Sequence, residues 1–132
     1  MEKKQIPEVG SEKKILIVDD DPITLKMLEK ILLSVGYWVA KATNGKEALY
    51  IADDFLPNLI MLDIDMPVMD GTEAMERLNK NPRTKNIPVI FLSSLITKQD
   101  EMGKYGKSKS YLAKPINREI LLKEIDKHLE KA

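Results

Sequence analysis

Five times along the 132-residue chain a short apolar run of three to six residues gives way to a longer amphipathic segment. This alternation restricts the possible folds more than any other feature. Ile15–Val18 is too short and too β-branched for a helix but suits a strand buried on both faces. Asp21-Pro22 then supplies an N-cap and a proline at the first helical position. The helix it opens carries Ile23, Met27, Leu28, Ile31, Leu32 and Val35 at helical spacing, and Gly36 ends it. Tyr37–Ala42 reads as the second strand, Asn58–Asp63 as the third, Pro88–Ser93 as the fourth and Tyr111–Ala113 as a short fifth. Between them lie helices over Gly45–Asp53, with Ala48, Leu49 and Ala52 inward, and Thr72–Lys80, with Ala74, Met75 and Leu78 inward. A turn through Met66-Pro67 and Asp70-Gly71 precedes the Thr72 helix. A weakly patterned helix over Ile96–Tyr105 follows the fourth strand, and Asn117 caps a last helix through Ile120, Leu121, Ile125 and Leu129.

Alternating strands and helices of this size imply a parallel sheet covered on both faces, because right-handed crossovers place helices on each side. An eight-fold barrel needs about twice the length, so the sheet is open. The expected fold is α/β and flavodoxin-like, a doubly wound (βα)5 unit with strand order 2-1-3-4-5. One domain over residues 15–132 accounts for the pattern, and residues 1–14 lack apolar periodicity and read as a flexible tail.

Composition narrows the function. The chain has no cysteine, which excludes disulfide frameworks and thiolate metal sites. Its 21 basic and 21 acidic side chains cancel, so nothing in the bulk charge favours nucleic acid or anionic membrane. The apolar runs are too short to span a bilayer and no signal peptide is visible, so a cytoplasmic location is expected. The neutrality is uneven, however. Residues 15–65 carry four bases and nine acids, residues 66–132 thirteen bases and nine acids.

The acids of the first part sit in two groups, Asp19-Asp20-Asp21 after strand 1 and Asp63-x-Asp65 after strand 3. In a 2-1-3-4-5 sheet these strands are neighbours at the topological switch point, where ligands bind at the carboxyl ends. Carboxylates about 4 Å apart repel by roughly 4 kcal/mol at an effective dielectric of 20, and a hard cation such as Mg²⁺ relieves this. Ser93 and Lys114-Pro115 end strands 4 and 5 beside the same crevice. A hydroxyl, an ammonium and Mg²⁺ together suit the equatorial oxygens of a phosphoryl group in transfer. Asp63, central in the sheet, is then the candidate nucleophile.

Val18-Asp19-Asp20, Leu62-Asp63 with Met66-Pro67 and Asp70-Gly71, Pro88 to Ser93-Ser94, and Tyr111-Leu112-Ala113-Lys114-Pro115 follow one another at predicted strand ends. Together they resemble the receiver domain of bacterial two-component response regulators, of the CheY type, over residues 15–132. The resemblance implies that Asp63 accepts a phosphoryl group from a sensor histidine kinase or a histidine phosphotransfer protein. It implies that Asp20 and Asp63 ligate Mg²⁺, with Asp19 assisting through water and the backbone carbonyl of Asp65 completing the protein ligands. Ser93 and Lys114 would each take a phosphoryl oxygen, Tyr111 would swing inward as the switch aromatic, and the Lys114-Pro115 bond would be cis. The face of the fourth helix, fifth strand and fifth helix would carry the output to a downstream protein, from a monomer or a phosphorylation-dependent dimer.

Several residues depart from the commonest family pattern. Asp65 adds a carboxylate and Leu95 an apolar side chain close to the site, with opposite expected effects on phosphoryl lifetime. Ile116 replaces an aromatic after the proline, and Met102–Lys109 holds two glycines and three lysines where a regular fourth helix is usual. Trp38 reads as partial core, and His128 as a helix residue among charges. Lys98, Lys104, Lys107 and Lys109 read as a solvated stretch, or as a docking patch for an acidic partner. The competing enzyme reading takes Asp63-Ile64-Asp65 as the Asp-x-Asp of haloacid-dehalogenase-like phosphotransferases. Motif order opposes it, since those enzymes carry Asp-x-Asp on the first strand.

Overall fold

The computed structural model describes residues 13–64, 66, 71–94 and 110–129, with the backbone alone at 71 and 72. In order, the elements are β1 (Lys14–Val18), α1 (Pro22–Ser34), β2 (Trp38–Ala42), α2 (Gly45–Phe55), β3 (Leu59–Asp63), α3 (Gly71–Lys80), β4 (Val89–Ser93), β5 (Ser110–Ala113) and a C-terminal helix (Arg118–Leu129). The strands form one sheet in the order β2-β1-β3-β4-β5, and every neighbouring pair is parallel. This is the doubly wound order expected from the alternation. The predicted helix over 96–105, the turn over 67–70 and the glycine- and lysine-bearing stretch 102–109 lie outside the described residues, as do residues 1–12.

The sheet divides the interior into two cores, because successive strand side chains point to opposite faces. Ile15, Ile17, Leu59, Met61, Ile90 and Leu92 meet Leu25, Leu28 and Leu32 of α1 and Leu121, Ile125 and Leu129 of the C-terminal helix. Leu16, Val18, Ile60, Leu62, Val89 and Phe91 meet Ala48 and Ala52 of α2 and Ala74 and Leu78 of α3. Each buried aliphatic side chain contributes roughly 1.5–3 kcal/mol, so the three central strands anchor both faces.

Helix boundaries follow local chemistry. Asp21 caps α1, accepting from the Ile23 amide, and Gly36 after its end has φ 96°, a left-handed value that a glycine reaches without a Cβ penalty. Asn44 caps α2 through the Glu47 amide, while the Glu47 carboxylate accepts from the Thr43 amide. Asn117 caps the C-terminal helix through the Ile120 amide.

Four expectations need correction. Lys14, assigned to the tail, opens β1. Its amide donates to Asn58 Oδ1 and its ammonium reaches the Phe55 carbonyl at 2.7 Å, so the long side chain lies along the end of α2 with its charge satisfied. The inner face of α1 is Leu25, Leu28 and Leu32, while Ile23 is 77% exposed and Met27 points outward with it. At 100° per residue Ile23 and Met27 fall opposite that leucine stripe, and the helix is apolar on both sides. Ile120, placed inward on the last helix, is 55% exposed, and Trp38 is also exposed.

The single histidine of the chain ties the edge strand to the C-terminal helix. Ser110 Oγ on β5 lies 2.8 Å from His128 Nε2, and Glu124 lies 3.6 Å from the same nitrogen. Burial opposes the charge of Glu124, but the Ser110 hydroxyl and the positive charges of Lys127 and His128 outweigh it, holding this carboxyl below its ordinary value. A lowered folded value contributes stability above the unfolded value near 4.5, lost as pH falls through the folded one. Thermal melts of wild type and Glu124→Gln are therefore expected to differ at pH 5, with wild type higher, and to converge at pH 3.

Candidate functional site

Four strand ends meet at the carboxyl end of the sheet. Val18 of β1 is in register with Leu62 of β3, so Asp19 and Asp63 leave adjacent strands side by side. Asp63 is in register with Leu92, which puts Ser93 at the next strand end, and the Lys114 amide donates to the Ser93 carbonyl at 3.0 Å. Parallel pairing alone thus gathers the predicted residues.

The carboxylates of Asp19, Asp20 and Asp63 offer oxygens that all lie within 4.8 Å of one another. Asp19 and Asp63 are buried, whereas Asp20 is exposed at the mouth. Ser93 is fully buried. Lys114 Nζ lies 2.8 Å from Asp19 Oδ2 and 3.3 Å from Asp63 Oδ2. Burial works against the ammonium, but the contact with Asp19 and the charges of Asp19 and Asp63 outweigh it, so Lys114 titrates above the usual lysine range. It is therefore a fixed cation at neutral pH.

One ammonium faces three carboxylates, and each pair of the latter repels by about 3 kcal/mol at an effective dielectric of 20. Asp19 Oδ2, though 2.8 Å from the ammonium, accepts no aligned hydrogen bond among the described residues. A buried oxygen of this kind, beside two further carboxylates, fits a hard divalent cation, which takes oxygen ligands and keeps several waters. The donor set thus suits Mg²⁺.

Tyr111, in register with Phe91, stacks on it with centroids 5.5 Å apart and an interplanar angle of 21°. It is half-buried against the α2 and α3 core. The Lys114-Pro115 peptide bond is cis. Asp65 and Leu95 lie outside the described residues. Two features escaped the sequence reading. The sharing of Lys114 by Asp19 and Asp63 depends on side-chain reach across three strands, which no local pattern encodes. The backbone amide of Asp21 donates to Asp19 Oδ1 at 2.9 Å, a contact that the Asp-Asp-Asp-Pro capping signal could have suggested.

Residues 15–126 match the sequence pattern of the response regulator receiver domain. The chain belongs to that family. This receiver domain is 37% identical over 114 residues to the protein PilH of Pseudomonas aeruginosa, covering 86% of the present chain and 94% of PilH. It is 35% identical over 113 residues to the DNA-binding dual master transcriptional regulator RpaA of Synechocystis, covering 85% of this chain but 47% of that protein. Among solved structures, the receiver domain of a sensor histidine kinase from Pseudomonas aeruginosa PAO1 superposes with a TM-score of 0.81 at 27% identity, covering 91% of this chain and 99% of that one. That relative holds a magnesium ion coordinated in its active-site cleft. Receiver domains are phosphorylation-activated signalling switches, and this chain is one of them. The family match gives the haloacid-dehalogenase-like reading no support. Among the described residues no helix is long and apolar enough to cross a membrane.

Proposed function

We propose that Asp63 is the phosphoacceptor of this receiver domain, which works in the cytoplasm and draws its phosphoryl group from the phosphohistidine of a sensor histidine kinase or a histidine phosphotransfer protein. The observation that carries this reading is the buried Asp63 carboxylate, held at the sheet's switch point 3.3 Å from Lys114 and within 4.8 Å of the Asp19 and Asp20 oxygens. An Asp63 oxygen attacks phosphorus in line with the scissile bond. The P–N bond breaks, and its electron pair leaves with the imidazole nitrogen of the donor. Lys114 and the Ser93 hydroxyl each take one phosphoryl oxygen. Asp19, Asp20, Asp63 and the backbone carbonyl of Asp65 would hold Mg²⁺, which neutralises charge building up on the transferring group. Catalysis by the chain is confined to its own phosphorylation and dephosphorylation.

Once Lys114 and Ser93 engage the phosphoryl oxygens, the pull on Lys114 from Asp19 weakens and β5 shifts, taking Tyr111 with it. The surface beside β5 and the C-terminal helix then changes its affinity for a downstream protein, with the domain acting as a monomer or dimerising on phosphorylation. The unit that does this is the domain expected over residues 15–132, with Lys14 added at the start of β1. Incubation with acetyl phosphate and MgCl2, followed by intact mass, tests the reading. One phosphoryl group per chain, absent when EDTA replaces MgCl2, is expected; no adduct overturns it.

Exposed apolar residues bracket the site. Ile23 lies in the first turn of α1 and Ile120 in the first turn of the C-terminal helix, two helices that share one core. Both first turns lie at the sheet's carboxyl end, where a donor must approach. Ile23→Asp is expected to slow transfer from a phosphorylated histidine phosphotransfer domain by about tenfold, the effect of removing an apolar anchor. The rate with acetyl phosphate, which needs no docking, is expected to stay at the wild-type value.

A further inference from the structure

Asp21 lies next to the acidic cluster but is exposed, and it is absent from the group of carboxylates able to converge on one ion. Its side chain is turned the other way. Oδ1 accepts from the Ile23 amide at 3.1 Å and Oδ2 from the Thr24 hydroxyl at 2.8 Å, while its carbonyl accepts the Leu25 amide. Pro22 follows at the first helical position, where its ring fixes φ. Three bonds therefore lock residue 21 to the first turn of α1, in an extended conformation with φ −94° and ψ 111°.

That conformation fixes where the amide of Asp21 points, and it points at Asp19 Oδ1 from 2.9 Å. Asp19 is wholly buried, so the rotamer of its carboxylate is set by the groups that touch it. With Oδ1 held by the amide, Oδ2 is the oxygen turned toward Lys114 and the cleft, where it accepts no aligned hydrogen bond among the described residues. Outer hydrogen bonds of this kind orient metal-binding carboxylates, and their loss costs roughly 10–100-fold in affinity. We propose that Asp21 is a positioning residue for the cation site: by capping α1 it holds its own amide on Asp19 and aims the other Asp19 oxygen, the one that faces Lys114, into the cleft toward the ion. This inference rests on the reading of Asp19, Asp20 and Asp63 as a cation site. It adds that the first turn of α1 is part of that site's framework.

A positioning role differs from a charge effect. A third carboxylate near the cleft would also draw cations, but that contribution disappears with the charge, whereas capping needs only an acceptor. Asn and Ser cap helices about as well as Asp, and Ala does not. Titration with MgCl2 followed by backbone amide shifts, for wild type and for Asp21→Asn, Asp21→Ser, Asp21→Ala and Thr24→Ala, separates the two. Asp21→Ala is expected to bind Mg²⁺ about tenfold more weakly, Asn and Ser within about twofold of wild type, and Thr24→Ala, which loses one of the two capping bonds, in between. Thr24→Ala retains the Asp21 carboxylate and the Ile23 bond, so it reports even where Asp21→Ala unfolds. If Asn weakens binding as much as Ala, the charge was responsible and the proposal is overturned. Equal Mg²⁺ affinity in all five proteins overturns it also, while leaving the cation site intact. Absence of Mg²⁺ binding by wild type removes the site and this inference together.

Discussion

Asp63→Asn is expected to abolish the phosphoryl adduct completely and, in EDTA, to leave the protein more stable than wild type by about 1 kcal/mol. Both effects come from one carboxylate. An amide has no anionic oxygen to attack phosphorus, and no neighbouring acid in the cluster occupies its place at the end of the central strand. The stability gain follows from the count of charges. Asp19 and Asp63 are both buried and share the Lys114 ammonium, at 2.8 and 3.3 Å. Neutralising Asp63 removes a repulsion and a desolvation cost but leaves the closer pair, Lys114 with Asp19, intact. Intact mass after acetyl phosphate and urea unfolding in EDTA check the two halves. A retained adduct, or a clear loss of stability, would contradict this account of the site.

Lys114→Met reverses the sign. Methionine keeps most of the length of the side chain and removes its charge, leaving two buried carboxylates facing each other. Removing one partner of a buried ion pair typically costs about 3–5 kcal/mol, and the lower end suits a lysine at the mouth of a cleft. The variant is therefore expected to lose about 3 kcal/mol in EDTA and to regain much of it in MgCl2, with a larger Mg²⁺-induced rise in Tm than wild type. Thermal melts with and without MgCl2 measure this directly. An equal Mg²⁺ response in the two proteins would mean that Lys114 and the ion do not compensate the same charges.

The strands and caps of this fold were legible because their chemistry is local. Ile15–Val18, Asp21-Pro22, Gly36 and Asn117 each carry their instruction within a few residues, and the sheet order followed from the alternation plus the handedness of crossovers. The convergence of the five candidate residues Asp19, Asp20, Asp63, Ser93 and Lys114 was legible for the same reason: knowing the strand order was enough to bring them together. What could not be read was which way α1 faces. Ile23, Met27 and Leu28 satisfy a helical period as well as Leu25, Leu28 and Leu32 do, and only packing against Ile15, Ile17 and Met61 decides between them. Lys14 was misassigned because a lysine looks like tail until the Phe55 carbonyl that receives its ammonium is in view. The bridging position of Lys114 was similarly hidden, since its partners come from strands far away in sequence.

The division of the interior by the sheet has a consequence for how such a switch can be altered. The buried residues of one core are absent from the other, and alternate positions of the same strand serve opposite faces. Substitutions more than 7–10 Å apart without shared partners add nearly independently. Changes at Leu28 or Ile125 and changes at Leu78 or Ala52 are therefore separable. If donor docking and switching lie where proposed, the half of the molecule that bears Ile23 and Ile120 can be remodelled without repacking the half that seats Tyr111, so partner choice and switching behaviour can drift along separate evolutionary paths within a single domain.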